Sequence, residues 1–163
     1  MVNDKKHLPL FGVGPVIVYG QFVITAVAIV LVKISETDFA ELSSLKIPFM
    51  LIGIAFIVFG IYLDLSAKLK SKLFKNVTEN KLVTDGVYGI VRNPVYSGAL
   101  MMCVGAVLIA NNLLLFITPV ICWLYMTVFL INTEEKWLRD LYGDEYINYC
   151  KSVNRCIPFI RKK

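Results

Sequence analysis

The chain alternates between long uncharged apolar blocks and short polar segments, with such blocks at residues 8–32, 47–63 and 93–132. A bilayer core of about 30 Å is crossed by a helix of about 20 apolar residues. The first block therefore predicts one transmembrane span and the second a short one, whereas the third is long enough for two. Because the first block exceeds the apolar core of a typical signal peptide, we expect a span there and not a cleaved leader.

The third block must turn back on itself near its middle. Asn111 and Asn112 are adjacent there, and their amides would be left unpaired in hydrocarbon. We therefore predict helices at about 95–110 and 113–132 joined by a tight turn, and Pro119 in the second helix is a candidate for a kink. The whole pattern predicts an all-α integral membrane helical bundle with about four transmembrane helices.

Composition agrees with this fold and narrows the classes of partner. Hydrophobic residues make up 57% of the chain and charged residues 18%, whereas soluble domains have about 45–50% and about 25%. The net charge of +5 suits attraction to anionic membrane lipids and requires no nucleic acid. The four cysteines lack the spacing of a metal or redox site, so we expect packing residues and no metal.

The lysines and arginines predict the orientation of the bundle. Of the 17 in the chain, all except Lys33 and Lys46 lie in the two tails or in the segment 64–94. The positive-inside rule then places both termini and this segment on the cytoplasmic side. We expect a multi-pass protein of a prokaryotic cell membrane, in which both ends of the last hairpin face the cytoplasm together with any site built there.

The chain reads as a single membrane domain without internal repeats. Residues 1–64 form two anchoring helices, and residues 65–94 form a cytoplasmic amphipathic segment and loop. Residues 95–132 form a transmembrane hairpin, and residues 133–163 form a cytoplasmic tail that completes a site at the ends of the hairpin.

Two spacing patterns predict further local structure. Leucines recur every four residues within 64–76, with lysines between them, which fits either an amphipathic interfacial helix or a cytoplasmic extension of the second span. Gly53 and Gly60 are seven residues apart, as are Gly98 and Gly105. Small residues at such spacing line one helix face and permit close packing of helices.

Polar and aromatic residues gather where the third span begins, in an Arg-Asn-Pro-x-Tyr segment. Asn93 suits the N-cap and Pro94 the first helical turn. Capping does not explain Arg92, which adds positive charge where the helix dipole is already positive. It does not explain Tyr88 and Tyr96 either. An anionic group bound at this helix start would account for the arginine.

Two adjacent carboxylates, Glu134 and Glu135, follow the fourth span. They would oppose the helix dipole if the helix stopped there, so we expect it to continue through Arg139 to Gly143. The glutamates form either a solvated face with local ion pairs or a site where at least one receives a ligand's cationic group. Because the spans are antiparallel, they meet Arg92 at one edge of the bilayer. That arrangement suits a zwitterionic cofactor and a lipid-like substrate.

These two segments resemble the isoprenylcysteine carboxyl methyltransferase family and its phospholipid N-methyltransferase relatives. The family pattern G-x-Y-x-x-x-R-H-P-x-Y-x-G is similar to GVYGIVRNPVYSG here. The later patterns E-E-x-x-L, E-Y-x-x-Y and R-x-I-P are similar to EEKWL, EYINY and RCIP. The likeness covers about residues 80–160, and Asn93 stands where the family usually has His.

The resemblance implies S-adenosylmethionine as cofactor, bound at the cytoplasmic mouth of the hairpin. It also implies methyl transfer to a lipophilic acceptor from the bilayer, such as an isoprenylcysteine-like carboxylate, an isoprenoid or a lipid. The cofactor-binding residues that it implies are those at the matching positions: Tyr88, Arg92, Asn93, Pro94, Tyr96, Gly98, Glu134, Glu135, Tyr146 and Arg155.

The candidate catalytic residues are Arg92 and Glu135. Arg92 would hold an acceptor that is already anionic, whereas Glu135 or Tyr88 would take the proton from a thiol or an amine. Asn93 can hydrogen-bond a carboxylate but cannot titrate near neutral pH, which favours an acceptor that is anionic or easily deprotonated.

Two other functions fit the same pattern. One is an NADPH-dependent membrane sterol or enone reductase, because that class has a related C-terminal segment. The other is a non-catalytic small membrane interaction protein, in which the polar hairpin ends are helix caps and surface charge. Competition between the two cofactors separates the enzymes, and the interaction protein would bind neither.

Overall fold

A computed structural model of the chain describes residues 12–35, 37–70 and 81–158. The regular elements of these ranges are helical. The α-helices are α1 Gly14–Ile34, α2 Lys46–Leu65, α3 Pro94–Ala110, α4 Thr118–Asn132, α5 Glu134–Tyr142 and α6 Asp144–Ser152. Short 3-10 turns cover Asp38–Ala40, Ser43–Leu45, Gly86–Gly89 and Leu113–Ile117, and a π-helical turn covers Ser66–Lys70.

Among the described residues, three helical stretches are long and apolar enough to cross a membrane: Gly14–Ile34, Ser43–Leu69 and Leu113–Tyr142. The fourth apolar helix, Pro94–Ala110, has 17 residues and is roughly 25 Å long at 1.5 Å per residue. The predicted all-α membrane bundle is therefore confirmed, with one helix shorter than the other three.

The turn between α3 and α4 lies at the predicted pair of asparagines. Asn111 ends α3 in the left-handed conformation, with φ of 53°, which Asn tolerates better than most residues. The Asn112 carboxamide oxygen accepts a hydrogen bond from the Leu114 amide at 3.0 Å, and its nitrogen donates to Thr37 at 3.2 Å. Pro119 lies in the first turn of α4, after a 3-10 turn. It thus begins the α-helix and does not kink one already formed.

Glycines bring α2 and α3 into backbone contact. A Cβ atom built on Gly60 would lie 2.5 Å from the Gly98 carbonyl oxygen, and one on Gly98 would lie 2.6 Å from that of Gly60. Gly53 and Gly105 repeat the contact two turns away, at 2.7 and 2.5 Å. No side chain fits at these distances, so the predicted small-residue packing is confirmed.

Helices α1, α3 and α4 form the largest buried cluster. Ile17 of α1 packs with Leu100 of α3 and with Met126 and Leu130 of α4. The helices alternate in direction, so α1 and α3 begin, and α2 and α4 end, at one end of the bundle. We refer to it as the polar end. Helices α5 and α6 follow α4 at this end, where α1 also begins. Residues 1–11 and 159–163 lie outside the described ranges, so the shared side of the two tails stays a prediction.

Helix α4 ends at Asn132, whereas the sequence analysis expected one helix to continue to Gly143. Thr133 leaves helical geometry, with φ −125° and ψ −86°, and its hydroxyl donates to the Phe129 carbonyl at 2.6 Å. A new helix, α5, begins at Glu134. Glu134 and Glu135 therefore occupy a helix N-terminus, where the dipole favours negative charge.

The segment after α2 is described only in part. Helix α2 continues as a π-helical turn through Lys70, which agrees with an extension of the second span. Residues 71–76 lie outside the described ranges, so an interfacial amphipathic helix there stays a prediction.

Candidate active site

The polar end is assembled by the segment before α3 and the residues after α6. The Arg92 amide donates to the Asn154 carbonyl at 2.9 Å, and the Asn93 carboxamide nitrogen donates to the Arg155 carbonyl at 3.1 Å. Asn154 in turn accepts hydrogen bonds from the amides of Cys156 and Ile157, each at 3.3 Å. These bonds hold the tail across the start of α3.

Glu135 lies at the centre of an arginine cluster and is 2% exposed. Its carboxylate accepts from Arg155 Nε at 2.5 Å and from Nη2 at 3.0 Å. Arg92 Nη2 lies 3.4 Å from the same carboxylate and Arg139 Nη2 lies 3.9 Å from it. The hydrogen bond with Glu135 is the main cause that raises the pKa of Arg155. Glu135 is thus a buried, fully paired charge and not a solvated one.

Arg92 is 7% exposed and links α6 to this cluster. Its Nη1 donates to the Tyr146 hydroxyl at 3.2 Å and also contacts Cys150 Sγ. The guanidinium carbon lies 5.8 Å from the centroid of the Tyr146 ring, a cation–π distance. Its Nε is buried and has no hydrogen-bond partner within the described ranges. A buried guanidinium donor that is left unpaired indicates a place for an acceptor.

Glu134 is half-buried and has a different environment from its neighbour. Tyr96 donates its hydroxyl hydrogen bond to Glu134 Oε1 at 2.5 Å. Within the described ranges, no lysine or arginine forms an ion pair with this carboxylate. Glu134 is therefore a carboxylate that is oriented by a neutral partner and remains available to a cation.

Three buried tyrosines complete the wall of the polar end. The Tyr149 hydroxyl donates to the Tyr88 carbonyl at 2.6 Å. Burial raises the pKa of Tyr88 well above its usual range, and Tyr149, Glu134 and Asp64 add to the effect. Burial also raises the pKa values of Tyr146 and Tyr149. These phenols remain neutral at physiological pH and act as hydrogen-bonding groups.

The structure gives two of the predicted site residues other partners. Asn93 occupies the N-cap position of α3, but its side chain makes no capping bond and holds the Arg155 carbonyl instead. The missing side chain of Gly98 is explained by its contact with Gly60. Pro94 lies buried in the first turn of α3, as predicted. The remaining predicted residues meet at the polar end.

Residues that the sequence patterns did not single out also reach this end. Asp64 lies in the last turn of α2, influences the pKa of Tyr88, and forms an ion pair with Lys68 at 2.8 Å. Cys150 contacts Arg92, and Gly14 of α1 packs against Tyr96. Of these residues, only Asp64 could have been recognised from the sequence, because it is an isolated carboxylate at the end of an apolar block.

Comparison with known proteins assigns the chain to a family. Residues 48–145, more than half of the chain, match the phospholipid methyltransferase family. The chain belongs to this family. The predicted resemblance is confirmed, and the matched range contains every predicted site residue except Tyr146 and Arg155.

Individual relatives are named as methyltransferases with different acceptors. Protein-S-isoprenylcysteine O-methyltransferase B of Arabidopsis thaliana is 37% identical over 82 residues, 50% of this chain and 41% of that protein. The Schizosaccharomyces pombe protein-S-isoprenylcysteine O-methyltransferase is 32% identical over 118 residues, 66% of this chain and 49% of its own length. Methanethiol S-methyltransferase 1 of Bradyrhizobium diazoefficiens is 32% identical over 87 residues, 53% of this chain and 30% of that protein.

The chain spans about half the length, or less, of these curated relatives. No solved structure matches it. The relatives come from a plant, a yeast and a bacterium, so they do not support the predicted prokaryotic origin over a eukaryotic one. The cytoplasmic orientation of the polar end likewise stays a prediction.

Proposed function

We propose that this chain catalyses transfer of a methyl group from S-adenosylmethionine to a lipophilic acceptor at the polar end of the bundle. One observation carries the proposal: Arg92 Nε, a buried donor, and the Glu134 carboxylate lie together at the polar end. Among residues 12–35, 37–70 and 81–158, that donor has no acceptor and that carboxylate has no cationic partner. Membership of the phospholipid methyltransferase family supports the same reaction.

The residues present fit the cofactor. S-adenosylmethionine carries a carboxylate, an ammonium group, a ribose diol and an aromatic base. Arg92 Nε is a buried donor that would hold the carboxylate. Glu134 would accept hydrogen bonds from the ammonium group or the ribose hydroxyls. Ser97 Oγ, near the start of α3, is a further buried hydrogen-bonding group, and in the part of the chain that the structure describes neither it nor Arg92 Nε has a partner.

The side chains contribute mainly by positioning and electrostatics. The bound cofactor supplies an electrophilic methyl group on a sulfonium ion, so the reaction needs an aligned acceptor more than a strong base. Arg155 and Arg92 occupy the Glu135 carboxylate in ion pairs, so Glu135 serves as a support for Arg92. Tyr88 stays protonated because burial raises its pKa. Glu134 is therefore our candidate for taking a proton where the acceptor carries one.

The acceptor would reach the polar end from the bilayer, since α1, α2 and α4, which lead to it, are apolar and expose most of their surface on the outside of the bundle. The relatives are named for oxygen and sulfur acceptors, so the chemical class common to them is a lipophilic nucleophile. We propose the same class here, with the polar end in contact with the cytoplasm as the distribution of lysine and arginine predicts.

Calorimetry on purified protein in detergent tests the proposal. We expect S-adenosylmethionine and its demethylated product to bind, and NADPH neither to bind nor to compete. Binding of NADPH alone would indicate the reductase function, and no binding of either by folded protein would contradict an enzyme. Labelled methyl transfer into a membrane extract would then identify the acceptor.

A matched pair of variants in α5 tests the residue assignment. Glu134→Gln should weaken cofactor binding by a factor of ten or more, since a hydrogen bond to a charged group contributes about 1.5–3 kcal/mol. Asp140→Asn removes an exposed carboxylate from the same helix and should leave the affinity unchanged. Equal affinities of the two variants would show that Glu134 does not contact the cofactor.

A further inference from the structure

Helix α1 reaches the polar end although it lies outside the family match, which begins at residue 48. A Cβ atom built on Gly14 would lie 3.0 Å from the Tyr96 hydroxyl oxygen. That same hydroxyl donates to Glu134 Oε1 at 2.5 Å. The first turn of α1 therefore contacts the group that orients the carboxylate we assign to the cofactor.

Neither helix propensity nor backbone conformation explains a glycine at position 14. Gly14 is in the first turn of α1 and is absent from the residues with positive φ, so any L-residue could adopt its backbone. Alanine would stabilise a helix by up to about 1 kcal/mol relative to glycine. The close approach of Tyr96 is the remaining reason for the missing side chain.

Tyr96 has little room to move away from α1. Its ring packs against the cluster that contains Ile17 and Leu100, and its hydroxyl is held by Glu134 on the other side. A contact of 3.0 Å to a Cβ is tighter than ordinary van der Waals packing. An added methyl group would therefore push the hydroxyl by a few tenths of an ångström, and the hydrogen bond to Glu134 would change.

We propose that Gly14 is a positioning residue of the active site. Its missing side chain lets Tyr96 hold Glu134 in the orientation that receives the ammonium group or ribose hydroxyls of the cofactor. The inference rests on the proposed function. It extends the site to the first transmembrane helix, beyond the segment that the family match covers.

Two glycines on α1 provide a matched test. A Cβ atom on Gly20 would collide with the hydroxyl of Tyr125, which donates to the Val16 carbonyl at 2.9 Å and packs on Phe129. Gly14→Ala should weaken binding of S-adenosylmethionine about fivefold to tenfold, as expected for one impaired hydrogen bond to a carboxylate. Gly20→Ala creates the harsher clash but should leave the affinity unchanged in the folded protein.

Adding Tyr96→Phe separates positioning from a general loss of structure. If Gly14 acts through the Tyr96 hydroxyl, the double variant Gly14→Ala/Tyr96→Phe should bind the cofactor as Tyr96→Phe alone does, because the clashing atom is gone. Additive losses, or equal affinities for Gly14→Ala and wild type, would overturn the inference. Absence of binding by the wild-type protein would instead contradict the proposed function.

Discussion

Polar residues have different kinds of partners at the two ends of the α3–α4 hairpin. At the turn, Asn112 bonds to Leu114 and Thr37, and the Asn111 carbonyl accepts from the Leu42 amide at 3.4 Å. These contacts join neutral groups of the bundle, although the Asn111 carboxamide oxygen is buried without a partner among the described residues. At the polar end the groups are charged, and among the described residues Glu134 has no cationic partner and Arg92 retains an unpaired donor.

The contrast is sharpest between two adjacent residues. Glu135 is buried among three arginines, whereas Glu134 faces one tyrosine. Successive residues on a helix point about 100° apart, so neighbours in sequence meet different partners. A pair of carboxylates in a motif can therefore divide into one that supports the site and one that serves a ligand.

The largest effect should follow from breaking the arginine cluster. Glu135→Gln leaves Arg92 and Arg155 without their shared counter-ion, and loss of one partner of a buried ion pair destabilises by about 3–5 kcal/mol. We expect a large drop in melting temperature in detergent, measured by circular dichroism. Glu134→Gln is the control and should keep the wild-type melting temperature; equal losses in both variants would contradict the division of roles.

As pH rises, the polar end should unfold before the turn between α3 and α4 does. Burial raises the pKa values of Tyr88, Tyr146 and Tyr149 in the folded protein. The stabilising effect of the three neutral phenols is therefore complete below the unfolded pKa of about 10 and is lost as pH rises above it. Each of them lowers stability by up to about 1.4 kcal/mol per pH unit there.

Absorbance of tyrosinate and helicity, followed together, check this prediction. We expect part of the tyrosinate signal to rise only as helicity falls. If every tyrosine ionised near pH 10 with helicity intact, the three phenols would be exposed and the described packing would be wrong.

A smaller effect is expected from the turn. Asn112→Ala removes the cap on Leu114 and the bonds to Thr37, which should lower stability by about 1–2 kcal/mol. Cofactor affinity should not change, because the substitution lies at the opposite end of the hairpin. Thermal melts and calorimetry of the same preparation test both expectations, and a loss of affinity would show that the ends are coupled.

The smallest effect should come from restoring the family's usual residue. In Asn93→His, a neutral imidazole can still donate one hydrogen bond to the Arg155 carbonyl, so stability should change by less than about 1 kcal/mol. Asn93→Ala loses that bond and serves as the comparison. A gain in turnover for the histidine variant would show that the position also acts on the substrate.

Local patterns in the sequence predicted much of the fold. The turn at Asn111 and Asn112 followed from the cost of unpaired amides in hydrocarbon, and the contact of α2 with α3 followed from the spacing of glycines. The patterns also brought Arg92 and the two glutamates to the same end. They did not predict the break at Thr133 or the partner of Asn93, because each depends on one side-chain hydrogen bond.

By itself, the sequence determined the apolar helices, their alternating directions and the end at which the charges gather, because hydrophobic burial follows short-range periodicity. Only the tertiary structure decided how each charge is used. Arg155 lies 20 residues beyond Glu135, and Gly14 lies far from Tyr96 in the chain. The packing of the tail and α1 against α3 and α5 decides which carboxylate is ion-paired and which remains available to a cation. Such long-range contacts leave no periodic pattern in the sequence.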